Sequence, residues 1–144
     1  MKIRIAIASD ASTIAELSSQ LGYPTQPDQA TAYLTDLANR SDHVVFVSES
    51  TDGLITGWIH VCCGYLLATG PFVEIGGLVV GEGQRSHGIG AALVDTACQW
   101  AAERSYQSIW VHSNVIRERA HNFYRMRGFT LWKTQSLFVY DLHP

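Results

Sequence analysis

"GEGQRSHGIGAAL", residues 81–93, lies between an apolar run ending at Val80 and a segment with helical spacing. A tight turn needs one glycine and has no use for a neighbouring cation such as Arg85. The first turn of a helix, by contrast, offers unsatisfied N–H groups and about half a positive charge, a natural seat for a phosphate. Gly88 and Gly90 remove the Cβ atoms that would hold a phosphate off the backbone, and Arg85 supplies a charge-assisted contact. The other reading is a glycine-softened loop that binds nothing. Spacing alone leaves both open.

Outward from this turn the chain falls into short periodic elements. Upstream, "FVEIGGLVV" (72–80) reads as a strand, and the Gly76-Gly77 pair inside it marks a bulge or a close backbone approach. Downstream, Leu93, Val94, Ala97, Cys98, Ala101 and Ala102 form one apolar face between about 88 and 103, a helix packed on a sheet. "SIWVHSN" supplies a strand over 108–113. Being joined to 72–80 through a helix, it runs parallel to it.

Nearer the start, Ile3, Ile5 and Ile7 alternate as a first strand. Asp10 is then a candidate N-cap for a helix bearing Ile14, Leu17 and Leu21, stopped by Gly22. "GYPTQP" is a loop, residues 28–40 a second helix, and "HVVFVSE", "TDG" and "LITGWIHVCCGYLL" a hairpin. After the second parallel strand, Arg117 to Arg127 reads as a helix closed by Gly128. "FTLWKTQSLFVYDL" then adds one or two closing strands. The fold class is α/β, and nothing along the chain marks a linker or repeat, so residues 1–144 are expected to be a single domain.

Composition narrows the function. With 144 residues, 47% hydrophobic and 16% charged, the chain can bury a real core. A net charge of −3 excludes a general nucleic-acid binder, whose affinity rests on a basic surface. No secretion signal and no membrane span are evident. Cys62, Cys63 and Cys98 lack CxxC spacing and read as reduced thiols of a cytoplasmic protein. His43, His60, His87, His121 and His143 show no metal-ligand spacing, so no metal is expected.

Nucleotide readings of the turn are poor. GxGxxA is met only loosely, seven residues separate Val80 from Gly88, and no acid follows at the end of the next strand. A Walker loop would need GK[ST]. The stretch Arg85-Ser86-His87-Gly88-Ile89-Gly90 does, however, resemble the [Q/R]xxGx[G/A] turn of the GNAT superfamily of N-acetyltransferases, which cradles the pyrophosphate of acetyl-CoA. "EIGGLVV" is similar to that family's bulged strand, and "AHNFYRMRGF" (120–129) to its AxxFYxxxGF helix. "QLGYP", "SNVIRERAHNFYRMRGF" and "KTQ" resemble more narrowly a group of small, single-domain bacterial members. The resemblance covers nearly the whole chain. It implies a mixed, mostly antiparallel central sheet with a splayed parallel strand pair and about four flanking helices.

The family reaction sets three chemical demands. A lysine-like amine is neutral in only roughly one molecule in 2,500 at pH 7, so a base or a water chain must take its proton. The oxyanion of the addition step needs a donor, and the departing thiolate benefits from an acid. By resemblance, Tyr124 serves the sulfur, with Phe123 as its core neighbour. Backbone N–H groups of Leu78, Val79 and Val80 serve the oxyanion and the pantetheine arm, and Arg85, Ser86, His87, Gly88, Ile89, Gly90 and Ala91 hold the pyrophosphate. Many relatives carry an acid where this chain has Gly76. Glu74 shares that face of the strand; it either reaches the amine through water or is simply solvated, and His112 is the other candidate base. Arg117 stands where many relatives have asparagine, which leaves Asn114 as the polar cofactor contact.

The acceptor is expected to be a small-molecule amine. Tyr23 in the "GYPTQP" loop either lines its pocket or is a surface aromatic. Trp58, Tyr65 and the "GYLLATGPF" turn either wall that pocket or form a homodimer contact. A noncatalytic acyl-CoA-binding or sensing module is the alternative, motivated by the missing acid at position 76, and a nucleotide-binding regulatory domain is a third reading.

Overall fold

The computed structural model describes residues 1–85 and 87–143. Two compact units divide the chain, Met1–His112 and Ser113 onward. In the first, β1 (Lys2–Ile5), β2 (His43–Glu49), β3 (Ile55–Leu66), β4 (Gly70–Val80) and β5 (Trp110–Val111) form one five-stranded sheet in sequential order. All neighbours are antiparallel except β4 and β5, which are parallel. Three helices belong to this unit: α1 (Ala11–Gln20), α2 (Pro27–Ala38) and α3 (Ile89–Glu103). The second unit holds α4 (Glu118–Met126).

Alternation decides which faces are buried. Val47, Ile59, Val61, Val73 and Ile75 lie in the core with Leu93, Val94 and Ala97 of α3. The α3 side of the sheet is crowded: a Cβ on Gly57 would lie 3.2 Å from the Ile89 side chain. Ala11 and Ala15 of α1 cluster with Ala30 of α2 and Leu34. The small residues at these positions let the two helices approach closely.

Asp10 departs from the expectation of an N-cap for α1. It precedes that helix but makes no side-chain cap. Its buried carboxylate instead accepts the Ile7 N–H at 2.8 Å and a two-pronged contact from Arg4 at 2.8 and 3.0 Å. Arg4 Nε also donates to Glu49 at 3.2 Å, so one guanidinium ties β1 to β2 and to the entry of α1. The competing cation outweighs the cap because a buried carboxylate gains more from a paired charge than from one amide.

The closing strands are the larger correction. Among the described residues after α4 no strand is assigned, and Leu131, Leu137, Phe138, Val139 and Tyr140 are exposed. Apolar alternation supplies a side-chain pattern, but a strand exists only where a neighbour completes its ladder. The remaining element boundaries lie within a few residues of those expected, except that the strand over 108–113 contracts to Trp110–Val111.

Candidate active site

After Val80 a short 3-10 turn (Glu82–Gln84) leads through an extended Arg85 to Gly88, which caps α3 with φ +78°. A Cβ there would touch nothing, so glycine is required by the left-handed backbone and not by space. The Gly88 carbonyl accepts the Ala92 N–H at 3.0 Å, the first bond of the helix. The amides of Ile89, Gly90 and Ala91 therefore precede any helical acceptor and sit at the positive end of a 15-residue helix. The half-buried Arg85 has no hydrogen-bond or ion-pair partner among the described residues, and His87 is exposed. Ser86 lies outside the described residues. The turn thus joins amides and a guanidinium that have no partner among the described residues with a residue without a side chain, a donor set that fits a phosphate.

The strand before it carries the expected bulge. His60 pairs with Gly77 and Val61 with Ile75, which makes Gly76 the extra residue. β4 and β5 pair only at Glu74–Trp110 and Ile75–Val111, where the Phe72 and Trp110 rings stack at 5.1 Å. Among the described residues, no strand pairs beyond Ile75 with the second edge of β4, the stretch that includes Leu78, Val79 and Val80. Val79 is buried, while Leu78 and Val80 are half-buried.

Glu74 and His112 turn out to be partners. Parallel pairing places Trp110 beside Glu74, and two residues on, His112 Nδ1 lies 2.9 Å from Glu74 Oε2. The carboxylate is largely covered and the imidazole is 73% exposed, so the pair presents its histidine outward. A carboxylate that fixes one ring nitrogen sets the tautomer and leaves the other nitrogen to exchange protons.

The same face of the sheet bears residues whose conjunction sequence reading misses. Trp58, His60 and Cys62 alternate along β3, and cross-strand register sets His43 opposite Cys62. His43 Nδ1 and His60 Nε2 are 2.9 Å apart, with the rings stacked. A Cβ at position 76 would lie 3.0 Å from His60 Nδ1: the imidazole borders the space that an acid at position 76 would enter. Burial, and then the charge of His43, hold His60 below the usual histidine range. Burial, followed by the charges of Glu74, Cys63 and Asp42, pushes the Cys62 thiol up to about 11. The Trp58 indole N–H is buried with no partner among the described residues. Period-two spacing in "WIHVC" and the short "TDG" hairpin are the signals that could have found this cluster.

In the second unit, Tyr124 on α4 is half-buried, meeting Phe123 and Phe129 edge-on at 5.2 and 5.3 Å. Burial raises its phenol above the usual tyrosine value, and the charge of Arg117 opposes that rise. Asn114 is engaged locally: its Oδ1 accepts the Ile116 N–H at 3.1 Å, and its backbone oxygen lies 3.0 Å from His121 Nε2. In the first unit Tyr23 follows Gly22, with its backbone N–H closing α1 on Ser18 and its side chain 60% exposed. A separate hollow of about 630 Å³ adjoins Arg4, Asp10 and Glu49, but those charges already satisfy one another.

The pattern of the acetyltransferase (GNAT) family matches residues 11–129, from the start of α1 through Phe129. The chain belongs to that family. A search of curated proteins gave no match. Among solved structures, this acetyltransferase-family chain is similar to the apo aminoglycoside antibiotic 6'-N-acetyltransferase AAC(6')-IG from Acinetobacter haemolyticus, at 17% identity, 99% coverage of both chains and a TM-score of 0.85. It is also similar to a Bacillus halodurans C-125 protein described as a transcriptional regulator, at 21% identity, covering 96% of this chain and 99% of that one, with a TM-score of 0.86. An acetyltransferase from Trypanosoma brucei gives 22% identity, the same coverages and a TM-score of 0.80. At these identities the likenesses show the fold alone. No helix among the described residues is long and apolar enough to cross a membrane.

Proposed function

We propose that residues 1–144 act as one acetyltransferase domain that moves the acetyl group of acetyl-CoA onto a primary amine of a small molecule. The observation that carries this reading is the Gly88 turn, with its open amides and uncommitted Arg85 at the start of α3. Acetyl-CoA supplies a thioester whose carbonyl carbon the amine attacks. Arg85 and the amides from Ser86 to Ala91 hold its pyrophosphate, and Asn114 and Phe123 add contacts. The backbone of Leu78 to Val80, on an edge that no strand covers among the described residues, pairs with the pantetheine arm and donates to the oxyanion.

The Glu74–His112 pair takes the place of the acid absent at position 76. His112 Nε2 takes a proton from the acceptor ammonium, directly or through one water, which frees the amine lone pair for attack, while Glu74 steadies the imidazolium so formed. Tyr124, kept protonated by its raised pKa, gives its proton to the departing thiolate. Tyr23 lies in the loop that would border the acceptor. The aminoglycoside acetyltransferases among the structural neighbours support an amine acceptor, and amino sugars belong in the first screen. Cys62, Cys63 and Cys98, read as thiols outside any disulfide, support residence in a reducing cytoplasm.

Calorimetric titration of acetyl-CoA into the wild type and Gly88→Glu tests the reading. Binding by the wild type and its loss in the variant are expected; no wild-type binding would refute it. Thiol release with a broad amine panel then separates an enzyme from an acyl-CoA sensor, which would bind without turnover.

A further inference from the structure

The cluster on β2 and β3 has a chemistry that acetyl transfer does not use. His43 and Cys62 stand directly opposite each other, and His60 is two residues from Cys62 on the same face. One ligand atom from each of the three side chains lies within 4.8 Å of the other two. We propose that His43, His60 and Cys62 form a binding site for a borderline-soft divalent cation, zinc above all, with a fourth coordination position left to water or an incoming ligand.

The donor set and its surroundings favour this ion. Two imidazoles and a thiolate suit zinc and disfavour magnesium or calcium, which take oxygen. Zinc–nitrogen bonds of about 2.0–2.1 Å at the tetrahedral angle put two nitrogens about 3.3 Å apart, and a nitrogen and a sulfur about 3.6 Å apart. The His43 Nδ1–His60 Nε2 separation of 2.9 Å is thus only about 0.4 Å too short, and the Cys62 Sγ lies within 4.8 Å of a ring nitrogen of each histidine. The outward nitrogens are arranged to match. His43 Nε2 lies 3.9 Å from the Asp42 carboxylate, beyond hydrogen-bond reach but near enough for that charge to favour the proton on this outer nitrogen. His60 Nδ1 points to the space that Gly76 leaves open, so the bulge makes room for the ring. Asp42 and Glu74 also act on Cys62 as nearby negative charges, a field that draws a cation in. As the metal–sulfur bond forms, the Cys62 Sγ proton leaves to solvent, and the proton shared between His43 Nδ1 and His60 Nε2 passes through solvent to the outer nitrogen of the ring that carried it, which frees both inner lone pairs for the metal. No step of this proposal depends on acetyl-CoA.

The test uses the whole chain, stripped with a chelator and titrated with cobalt(II) and with zinc(II) alone. One equivalent of cobalt should give the intense visible bands of a tetrahedral ion with a thiolate-to-metal charge-transfer band, and zinc should displace it. Cys62→Ser should lose the charge-transfer band, whereas Cys63→Ser and Cys98→Ser should keep it. His43→Ala and His60→Ala should each weaken zinc binding by more than the about 10–100-fold typical of losing an outer-shell partner. No stoichiometric binding, an octahedral cobalt spectrum without thiolate character, or full affinity in His60→Ala would overturn the proposal. The wild-type spectrum decides the matter even if a variant fails to fold.

Discussion

At Gly88 a single backbone angle, φ +78°, sets the proposed phosphate cradle apart from an ordinary helix start. With φ +78° and open space around the missing Cβ, Gly88→Ala introduces backbone strain of about 1 kcal/mol and little steric conflict. Its affinity for acetyl-CoA should fall modestly in calorimetry, whereas Gly88→Glu, which sets a carboxylate against the pyrophosphate, should abolish binding. Tyr124 makes a different prediction. Burial pushes its phenol above the usual tyrosine range and so favours the proton-bearing form, and Tyr124→Phe should lower kcat by about 10²–10⁴-fold and leave the KM for acetyl-CoA nearly unchanged. Steady-state kinetics with an accepted amine would read both constants. Sequence reading finds Glu74 and His112 as rival bases. It cannot find that they touch, because their contact depends on parallel register, which no local pattern encodes.

The bulged strand is the element on which most of the site depends. Gly77 is packed against Trp58: a Cβ there would approach the indole to 2.8 Å. Gly77→Ala should therefore destabilise the fold by about 1–3 kcal/mol, seen as a lower urea midpoint with an unchanged slope. The bulge itself is legible in the sequence, since paired glycines weaken a strand and persist inside an apolar run where the backbone must kink or be closely approached. So is the helix after it, from its apolar face and its glycine start. The residues after Gly128 are the opposite case. Their apolar alternation promises strands, yet pairing partners are a tertiary matter and the described chain forms no ladder there. The histidine cluster is only partly legible: period-two spacing puts His60 and Cys62 on one face, but His43, 17 residues from His60 along the chain and one hydrogen bond away in space, joins them only through the hairpin register.

Across the whole molecule, the Arg4–Asp10–Glu49 contact joins the first strand, the first helix and the second strand into one acid-sensitive unit. Burial raises the Asp10 pKa, but the hydrogen bonds from Arg4 and the Ile7 amide lower it further, so its folded value lies below 3.8. The stabilisation is then fully present above the ordinary carboxylate value and is lost as pH falls through the lower folded one. Asp10→Asn should cost about 2–3 kcal/mol near neutrality and flatten the dependence of Tm on pH below about 4. The outer rim of β4 from Gly76 to Val80 has a consequence for handling the protein. An apolar strand with one edge unpaired among the described residues is a template on which further chains can stack. During concentration and storage, light scattering should rise soonest in ligand-free samples and be suppressed by coenzyme A, whose pantetheine would occupy that rim as a removable gatekeeper.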